Sequence, residues 1–266
     1  MAIEIEKIVT DGISIGFFRF GQGKRPLIIL PGLSVKSILI YKDMIADAFE
    51  EFKDDFTVYV FDRRENLPDV YTVYDMADDY VKAFDALGLK GLSLYGASQG
   101  GMISLSIAIK RPDLVSAMVI GSSASRQTEG SKALVAEWNR LALEENEDAL
   151  IESFASKVYS KSFYEAYKDA IVGSLKGITK DEFRRLVILT GEMAGFDVFD
   201  ELYQIKCPVL VMCGSEDAVL GAQPSIEMAE KMGCRLKVFE GFGHAVYDET
   251  EEYKSTAKDF LLSVQG

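Results

Sequence analysis

One serine of this 266-residue chain stands between two glycines in a spacing that suits a reactive hydroxyl. Residues 92–104 read LSLYGASQGGMIS, and Ser98 is two positions from both Gly96 and Gly100. A sharp turn between a strand and a helix forces unfavourable backbone angles, and nearby side chains would obstruct it. The spacing therefore predicts a nucleophilic Ser98 on such a turn, although a glycine-rich loop can contain the same pattern by chance.

A serine hydroxyl is a weak nucleophile at neutral pH and needs a neighbouring base. The chain has a single histidine, His244, which lies in the glycine-flanked stretch FEGFGHAVYDE. This stretch falls between the last predicted strand and the final predicted helix. A lone histidine is more often structural than catalytic, but no other residue here can supply an imidazole. If serine–histidine chemistry operates, His244 must be the base.

A carboxylate is needed to accept the other imidazole N–H and to orient the ring. The segment VMCGSEDAVL has Glu216 and Asp217 at the carboxyl end of the penultimate predicted strand. Active sites of open α/β sheets lie at that edge, and one helix and one strand can return the chain from there to His244. We predict Asp217 as the acid and expect Glu216 to be exposed. A helix cap or a loop carboxylate is the structural alternative for either residue.

The elements that must position these groups alternate between strand-like and helix-like segments. Predicted strands, which follow an N-terminal hairpin turning at Asp11-Gly12, are LIIL, TVYVFD, LSLY, SAMVIGSS, PVLVMCG and RLKVFEG. Predicted helices cover residues 41–52, 74–87, 101–111, 224–232 and 251–264. Such alternation predicts an α/β fold with a mostly parallel sheet that is flanked by helices on both faces.

This alternation stops at residues 124–203, where helices follow one another without a convincing strand. Capping boxes are predicted at Ser162 with Glu165 and at Thr179 with Glu182. We therefore predict a core of residues 1–123 and 204–266 with an inserted helical cap of residues 124–203. Most aromatic side chains of the insertion should form its own core, and lining of an apolar pocket is the alternative. The aromatic residues include Trp138, Phe154, Tyr159, Phe163, Tyr164, Tyr167, Phe183 and Phe196.

The composition excludes several other classes of function. The formal net charge is −13, which disfavours broad attraction to nucleic acid or to an anionic membrane. The acidic runs FEEFKDD and DETEEY are expected to be solvated helix faces. Three sparse cysteines fit neither a disulfide framework nor a zinc site. The sequence has no apolar run of about 18 residues and no signal-peptide pattern, so a cytoplasmic location is expected.

These motifs together resemble those of α/β-hydrolases with a helical cap. The resemblance rests on the GASQG turn, the acid turn GSED, the GHA loop and the chain order Ser98, Asp217, His244. It covers nearly the whole chain except the insertion, and it implies the α/β-hydrolase fold. It also implies an oxyanion hole made by the backbone N–H groups of Gln99 and Leu33. The family's usual histidine before the latter donor is replaced here by Pro31.

The resemblance implies hydrolysis of a small-molecule ester through a serine–histidine–aspartate triad and an acyl-enzyme. A thioesterase, a lactonase, a C–C bond hydrolase and a non-catalytic ligand-binding protein stay open as alternatives. The expected partner is a small substrate with an apolar acyl or alcohol part, with no metal or organic cofactor, no nucleic acid and no membrane. The oligomeric state is left open. Arg63 and Arg64 could bind an anionic substrate group, but capping of the strand edge or pairing with Asp62 is the favoured interpretation.

Overall fold

The predicted sheet is present in the computed structural model, which describes residues 3–264. Its strands are β1 (Ile5–Thr10), β2 (Ile13–Phe20), β3 (Arg25–Leu30), β4 (Phe56–Arg64), β5 (Leu92–Ala97), β6 (Val115–Gly121), β7 (Val209–Gly214) and β8 (Arg235–Phe239). Within the described residues these eight strands form one sheet in the order β1-β2-β4-β3-β5-β6-β7-β8. β2 pairs antiparallel with β1 and β4, and all other neighbours are parallel.

The helices follow the strands as the alternation predicted. They are α1 (Lys42–Ala48), α2 (Val73–Ala86), α3 (Gln99–Lys110), α4 (Glu129–Leu143), α5 (Glu147–Val158), α6 (Lys161–Leu175), α7 (Lys180–Gly191), α8 (Gln223–Met232), α9 (Val246–Glu249) and α10 (Glu251–Ser263). Short 3₁₀ turns interrupt the segment predicted as one helix over residues 41–52, so α1 is shorter than expected.

Helices cover both faces of the sheet, and successive side chains of β4 show this directly. Tyr59 and Phe61 enter a core that includes residues of α2, α3 and α8. Val58 and Val60 enter a second core that includes residues of α10. Because side chains alternate across a strand, one apolar run serves both cores. The α/β fold class predicted from the sequence is confirmed.

The parallel strands end at one edge, and the strand order brings two of their loops together there. From β3 the sheet continues to β4 on one side and to β5 on the other. The loops that follow β3 and β5 are therefore neighbours at a topological switch point, where open α/β sheets bind ligands. The loops after β7 and β8 lie at the same edge.

Helices α4–α7 occupy the chain between β6 and β7, and we call residues 124–203 the helical insertion. The capping box of Thr179 with Glu182 is confirmed, but that of Ser162 is wrong. α6 begins two residues earlier than predicted, because Ser160 has the extended backbone of a cap and its Oγ accepts the Phe163 N–H.

Most aromatic side chains of the insertion are buried or half-buried, and the exceptions are Tyr167 and Tyr203, at 54% and 70% exposed. The Trp138 ring lies 4.8 Å from that of Phe154. Residues 1–2 and 265–266 of the expected core lie outside the described residues. No helix between residues 3 and 264 is long and apolar enough to cross a bilayer.

Candidate active site

Ser98 occupies the one-residue turn between β5 and α3. Its φ is +53° and its ψ is −122°, a conformation that costs a non-glycine residue about 1–3 kcal/mol. Two hydrogen bonds hold the turn: the Ser98 N–H donates to Gly121 O at 2.8 Å, and Ser123 Oγ donates to Ser98 O at 2.7 Å. The turn presents the Ser98 hydroxyl beside the N-terminus of α3, where backbone N–H groups favour negative charge.

The glycines around Ser98 are required by close packing of strand against helix. A Cβ on Gly100 would lie 1.9 Å from the carbonyl oxygen of Leu30, and one on Gly96 would lie 2.4 Å from Ser104 Oγ. Both distances are far below van der Waals contact, so a side chain at either position would force the turn apart. The structure thus gives the glycine spacing a steric reason.

The only histidine is paired with the expected aspartate. His244 Nδ1 lies 2.8 Å from Asp217 Oδ2, and both side chains are buried. Asp217 Oδ1 accepts the N–H groups of Val219 and Leu220 at 2.8 and 2.9 Å. An ionised carboxylate can only accept, so Nδ1 donates to Asp217, and in the neutral imidazole the lone pair is on Nε2. Glu216 is exposed.

Burial alone would raise the pKa of the Asp217 carboxyl. The neighbouring His244 charge, the hydrogen bond from its ring and the two backbone donors outweigh burial, so that pKa lies below its ordinary value. Asp217 is therefore ionised across the neutral range. A permanently ionised acceptor fixes both the tautomer and the orientation of the imidazole.

The loop that carries His244 is held by the helical insertion. Glu249 accepts the N–H groups of Gly243 and Ser160 on Oε1, at 3.2 and 2.9 Å, and Ser160 Oγ on Oε2 at 2.5 Å. The Ala245 N–H donates to Val158 O at 2.8 Å. Glu249 lies in the acidic run DETEEY, which was predicted to be a solvated helix face, and for this residue the prediction is wrong. Only the folded contacts distinguish it from its acidic neighbours.

The loop after β3 passes directly beside Ser98. A Cβ built on Gly32 would lie 3.2 Å from the Cβ of Ser98 and 3.8 Å from its Oγ. Leu33, one of the two predicted N–H donors, is the next residue. The other, Gln99, is the first residue of α3, where a backbone N–H has no acceptor within the helix.

Arg63 lies behind these donors. Its Nη2 donates to Pro31 O and to Gln99 Oε1, each at 2.8 Å, and its Nη1 donates to Tyr80 OH at 2.7 Å. Of the two favoured interpretations, capping of a strand edge agrees with the contacts to Pro31 O and Gly32 O, which follow β3. The Arg63 guanidinium does not pair with Asp62, because neighbouring strand residues point to opposite faces. The Asp62 carboxylate instead pairs with Arg185 of α7 at 2.5 Å.

The Gln99 side chain joins the serine turn to the insertion. Its Nε2 donates to Leu189 O of α7 at 2.9 Å, while its Oε1 accepts from Arg63. Its amide is fully buried. The sequence alone could not identify this role, since both partners are distant in the chain. Within residues 3–264, no group of three or more His, Cys, Asp or Glu side chains is arranged to hold a metal ion.

Comparison with known proteins agrees with this architecture. The sequence model of the family described as "alpha/beta hydrolase fold" matches residues 25–251. The chain therefore belongs to the α/β-hydrolase family of enzymes.

Three similar proteins illustrate the range of these relatives. The "Putative carbamate hydrolase RutD" of Pseudomonas savastanoi pv. phaseolicola is 26% identical over 81% of this chain and 87% of its own length. A thermophilic esterase from Thermogutta terrifontis, solved with malate bound, has a TM-score of 0.83 and 22% identity, covering 99% of this chain and 100% of its own. The enol-lactonase of Burkholderia xenovorans LB400 has a TM-score of 0.84 and 17% identity, covering 97% and 100%. The two solved structures show a shared fold.

Proposed function

We propose that this α/β-hydrolase is a serine hydrolase that cleaves a small-molecule ester through Ser98, His244 and Asp217. The observation that carries the proposal is the buried His244–Asp217 pair at 2.8 Å, which involves the only histidine of the chain. The pair lies at the same sheet edge as Ser98, whose strained turn is typical of a nucleophile.

The first half of the reaction forms an acyl-enzyme. His244 Nε2 takes the Ser98 hydroxyl proton as Oγ attacks the carbonyl carbon of the substrate, which gives a tetrahedral oxyanion. Asp217 stabilises the resulting imidazolium. The oxyanion collapses, the bond to the leaving alkoxide breaks, and His244 returns its proton to that oxygen.

The N–H groups of Leu33 and Gln99 hold the oxyanion in this proposal. The Arg63 guanidinium acts as a positioning group, because it binds Pro31 O in one donor loop and the side chain of Gln99, the other donor. Arg63 also contacts Gly32 O at 3.4 Å. This oxygen belongs to the peptide bond between Gly32 and Leu33, the same peptide bond that carries the Leu33 N–H. In a trans peptide the C=O and N–H point in opposite directions, so this contact turns the Leu33 N–H away from Arg63.

In the second half, water replaces the alcohol. His244 removes a proton from water, the hydroxide attacks the acyl carbon, and the Ser98 Oγ–carbon bond breaks with return of the proton to Oγ. The helical insertion acts as a cap that limits access of bulk water and favours a substrate with an apolar acyl or alcohol part. The cap is tied to the serine turn by Gln99 and to the histidine loop by Glu249.

The names of the relatives suggest two further substrate classes for the same reaction, lactones and carbamates. A lactone is a cyclic ester, so attack by Ser98 would open its ring and leave the alcohol attached to the acyl group. A carbamate presents a less electrophilic carbonyl, because its nitrogen donates electron density into the carbonyl group. We rank the open-chain ester first, the lactone second and the carbamate third, since attack by Ser98 on the carbamate carbonyl is the slowest of the three.

A substrate panel tests this proposal. Purified protein is assayed with p-nitrophenyl esters of increasing chain length, an aliphatic lactone and a p-nitrophenyl carbamate, with Ser98→Ala as the control. We expect turnover of at least one ester and its loss in the variant. No turnover of any ester by folded protein, or equal turnover by Ser98→Ala, would contradict the proposal.

A further inference from the structure

A cavity lies at the end of β4, and Arg63 forms part of its lining. Its volume is about 560 Å³, within the usual range for small-molecule sites. The end of β4 and the loop that follows form one side, and α7 forms the other. Arginines 63, 64 and 185 contribute its cationic wall, and Leu39, Leu67 and Ile188 contribute apolar surface. Neither Ser98 nor His244 is among the described residues that line this cavity.

The cationic wall has more hydrogen-bond donors than partners. Arg63 Nε, Arg64 Nε and one terminal nitrogen of Arg185, Nη1, are buried and make no hydrogen bond with any described residue. A buried unpaired donor costs about 1–3 kcal/mol, and more on a charged group. These three nitrogens are enclosed by protein, so a ligand in the cavity reaches them only when the side chains turn.

Arg63 also lacks a negative partner. It is 3% exposed and makes no ion pair with any residue in the range 3–264; its side-chain partners are the neutral oxygens of Tyr80, Pro31, Gly32 and Gln99. Buried charges in proteins are ordinarily paired, because an uncompensated charge is expensive to desolvate. Arg63 is therefore a buried cation without an ion-pair partner among the described residues.

Three of the four carboxylates that line the cavity are engaged elsewhere. Asp62 accepts from Ser37 Oγ, from the Arg63 N–H and from Arg185. Glu65 accepts from Ser14 and pairs with Lys7, and Glu182 caps α7 through Thr179. The fourth, Asp181 in the first turn of α7, is exposed, and solvent screens its charge. None of the four forms an ion pair with Arg63.

We propose that this cavity binds a small organic monocarboxylate. A planar guanidinium matches a planar carboxylate in size and donor geometry, and one carboxylate supplies the one charge that Arg63 lacks. Arg64 can turn toward such a ligand, because its hydrogen bonds to Asp79 and Gly12 O are long, at 3.5 and 3.4 Å. The apolar residues opposite would contact an alkyl chain. This site stands independently of the esterase proposal.

Calorimetric titration tests the proposal with hexanoate as the probe. Wild-type protein is titrated with sodium hexanoate, with neutral hexanamide and with inorganic phosphate, at constant ionic strength. We expect saturable binding of about one hexanoate per chain, with hexanamide and phosphate each at least tenfold weaker. Equal binding of hexanamide or phosphate would overturn the monocarboxylate assignment, and so would no saturable hexanoate binding.

Variants locate the binding. Arg64→Gln should weaken hexanoate by tenfold or more, while Arg184→Gln should change it less than twofold. Arg184 is the matched control, because it lines the same cavity but is exposed and paired with Asp69. Ser98→Ala should retain hexanoate binding. Binding that survives Arg64→Gln but is lost in Ser98→Ala would place the carboxylate at the serine and overturn the proposal; circular dichroism verifies the fold of each variant.

Discussion

The serine turn and the histidine loop reach the same sheet edge by different physical means. Ser98 is placed by its immediate neighbours: β5 ends at Ala97, α3 begins at Gln99, and glycines relieve the contacts between them. His244 is placed by residues distant in sequence, since Asp217 orients its ring and the insertion holds its loop through Glu249.

The two regions should therefore tolerate substitutions differently. The serine turn is determined by close packing of backbone against backbone. A larger side chain in the turn should therefore reduce both folding stability and activity. In the histidine loop, hydrogen bonds set the orientation of the imidazole. Loss of one such bond should therefore lower activity while most of the free energy of unfolding is kept.

The largest effect is expected from Asp217→Asn on the histidine side. The amide NH₂ of asparagine would face Nδ1 and favour the wrong imidazole tautomer, which should lower kcat by about 10³–10⁴-fold. Steady-state kinetics on the preferred p-nitrophenyl ester measures this loss. The melting temperature at neutral pH should fall only slightly, since the variant loses just the stability that the lowered Asp217 pKa contributes. A variant that keeps more than a tenth of wild-type kcat would show that Asp217 does not orient the base.

On the serine side, Gly100→Ala should be destabilising. Its Cβ would lie 1.9 Å from Leu30 O, so strand and helix must separate, at about 3 kcal/mol or more of the free energy of unfolding. Urea denaturation measures the change. Gly173→Ala is the control: no atom lies within 4 Å of its new Cβ, and removing a glycine from inside α6 should stabilise by about 0.5–1 kcal/mol. Equal effects of the two variants would contradict the packing account.

A smaller effect is expected from Glu249→Gln. Glutamine keeps one acceptor oxygen but loses the charge and one of the two acceptors that hold Ser160 and Gly243, so the His244 loop gains freedom. We expect kcat to fall about tenfold with KM little changed. Glu251→Gln, an exposed neighbour in α10, serves as the control and should leave kcat unchanged. A Glu249→Gln effect confined to melting temperature would mean that this contact supports the fold and not the base.

The smallest effect is an acid-dependent one. The folded-state pKa of Asp217 lies below its ordinary value of about 3.9, so its ionised form adds stability above that pH. This contribution is lost as pH falls from about 4 through the lowered folded pKa. Urea denaturation of wild type should therefore show a steeper decline below pH 4 than Asp217→Asn. Parallel declines would show that Asp217 gains nothing from its partners.

The same contrast explains how much the sequence could predict. The strand–serine–helix turn is local, so apolar runs and glycine spacing were sufficient to predict it, and the sheet followed from strand–helix alternation. The partners of Arg63, Gln99 and Glu249 lie far along the chain. No spacing rule connects such residues, which is why the sequence left the partner of Arg63 open between the strand edge and Asp62 and placed Glu249 on a solvated face.

The central claim is that Ser98 is a nucleophile activated by His244. Its most direct test is intact-protein and peptide mass spectrometry after incubation with a fluorophosphonate, on wild type, Ser98→Ala and His244→Ala. We predict one adduct per chain on the Ser98 peptide of wild type, none in Ser98→Ala, and labelling at least about 10³-fold slower in His244→Ala. An unlabelled Ser98 in folded wild-type protein, or undiminished labelling in His244→Ala, would contradict the account.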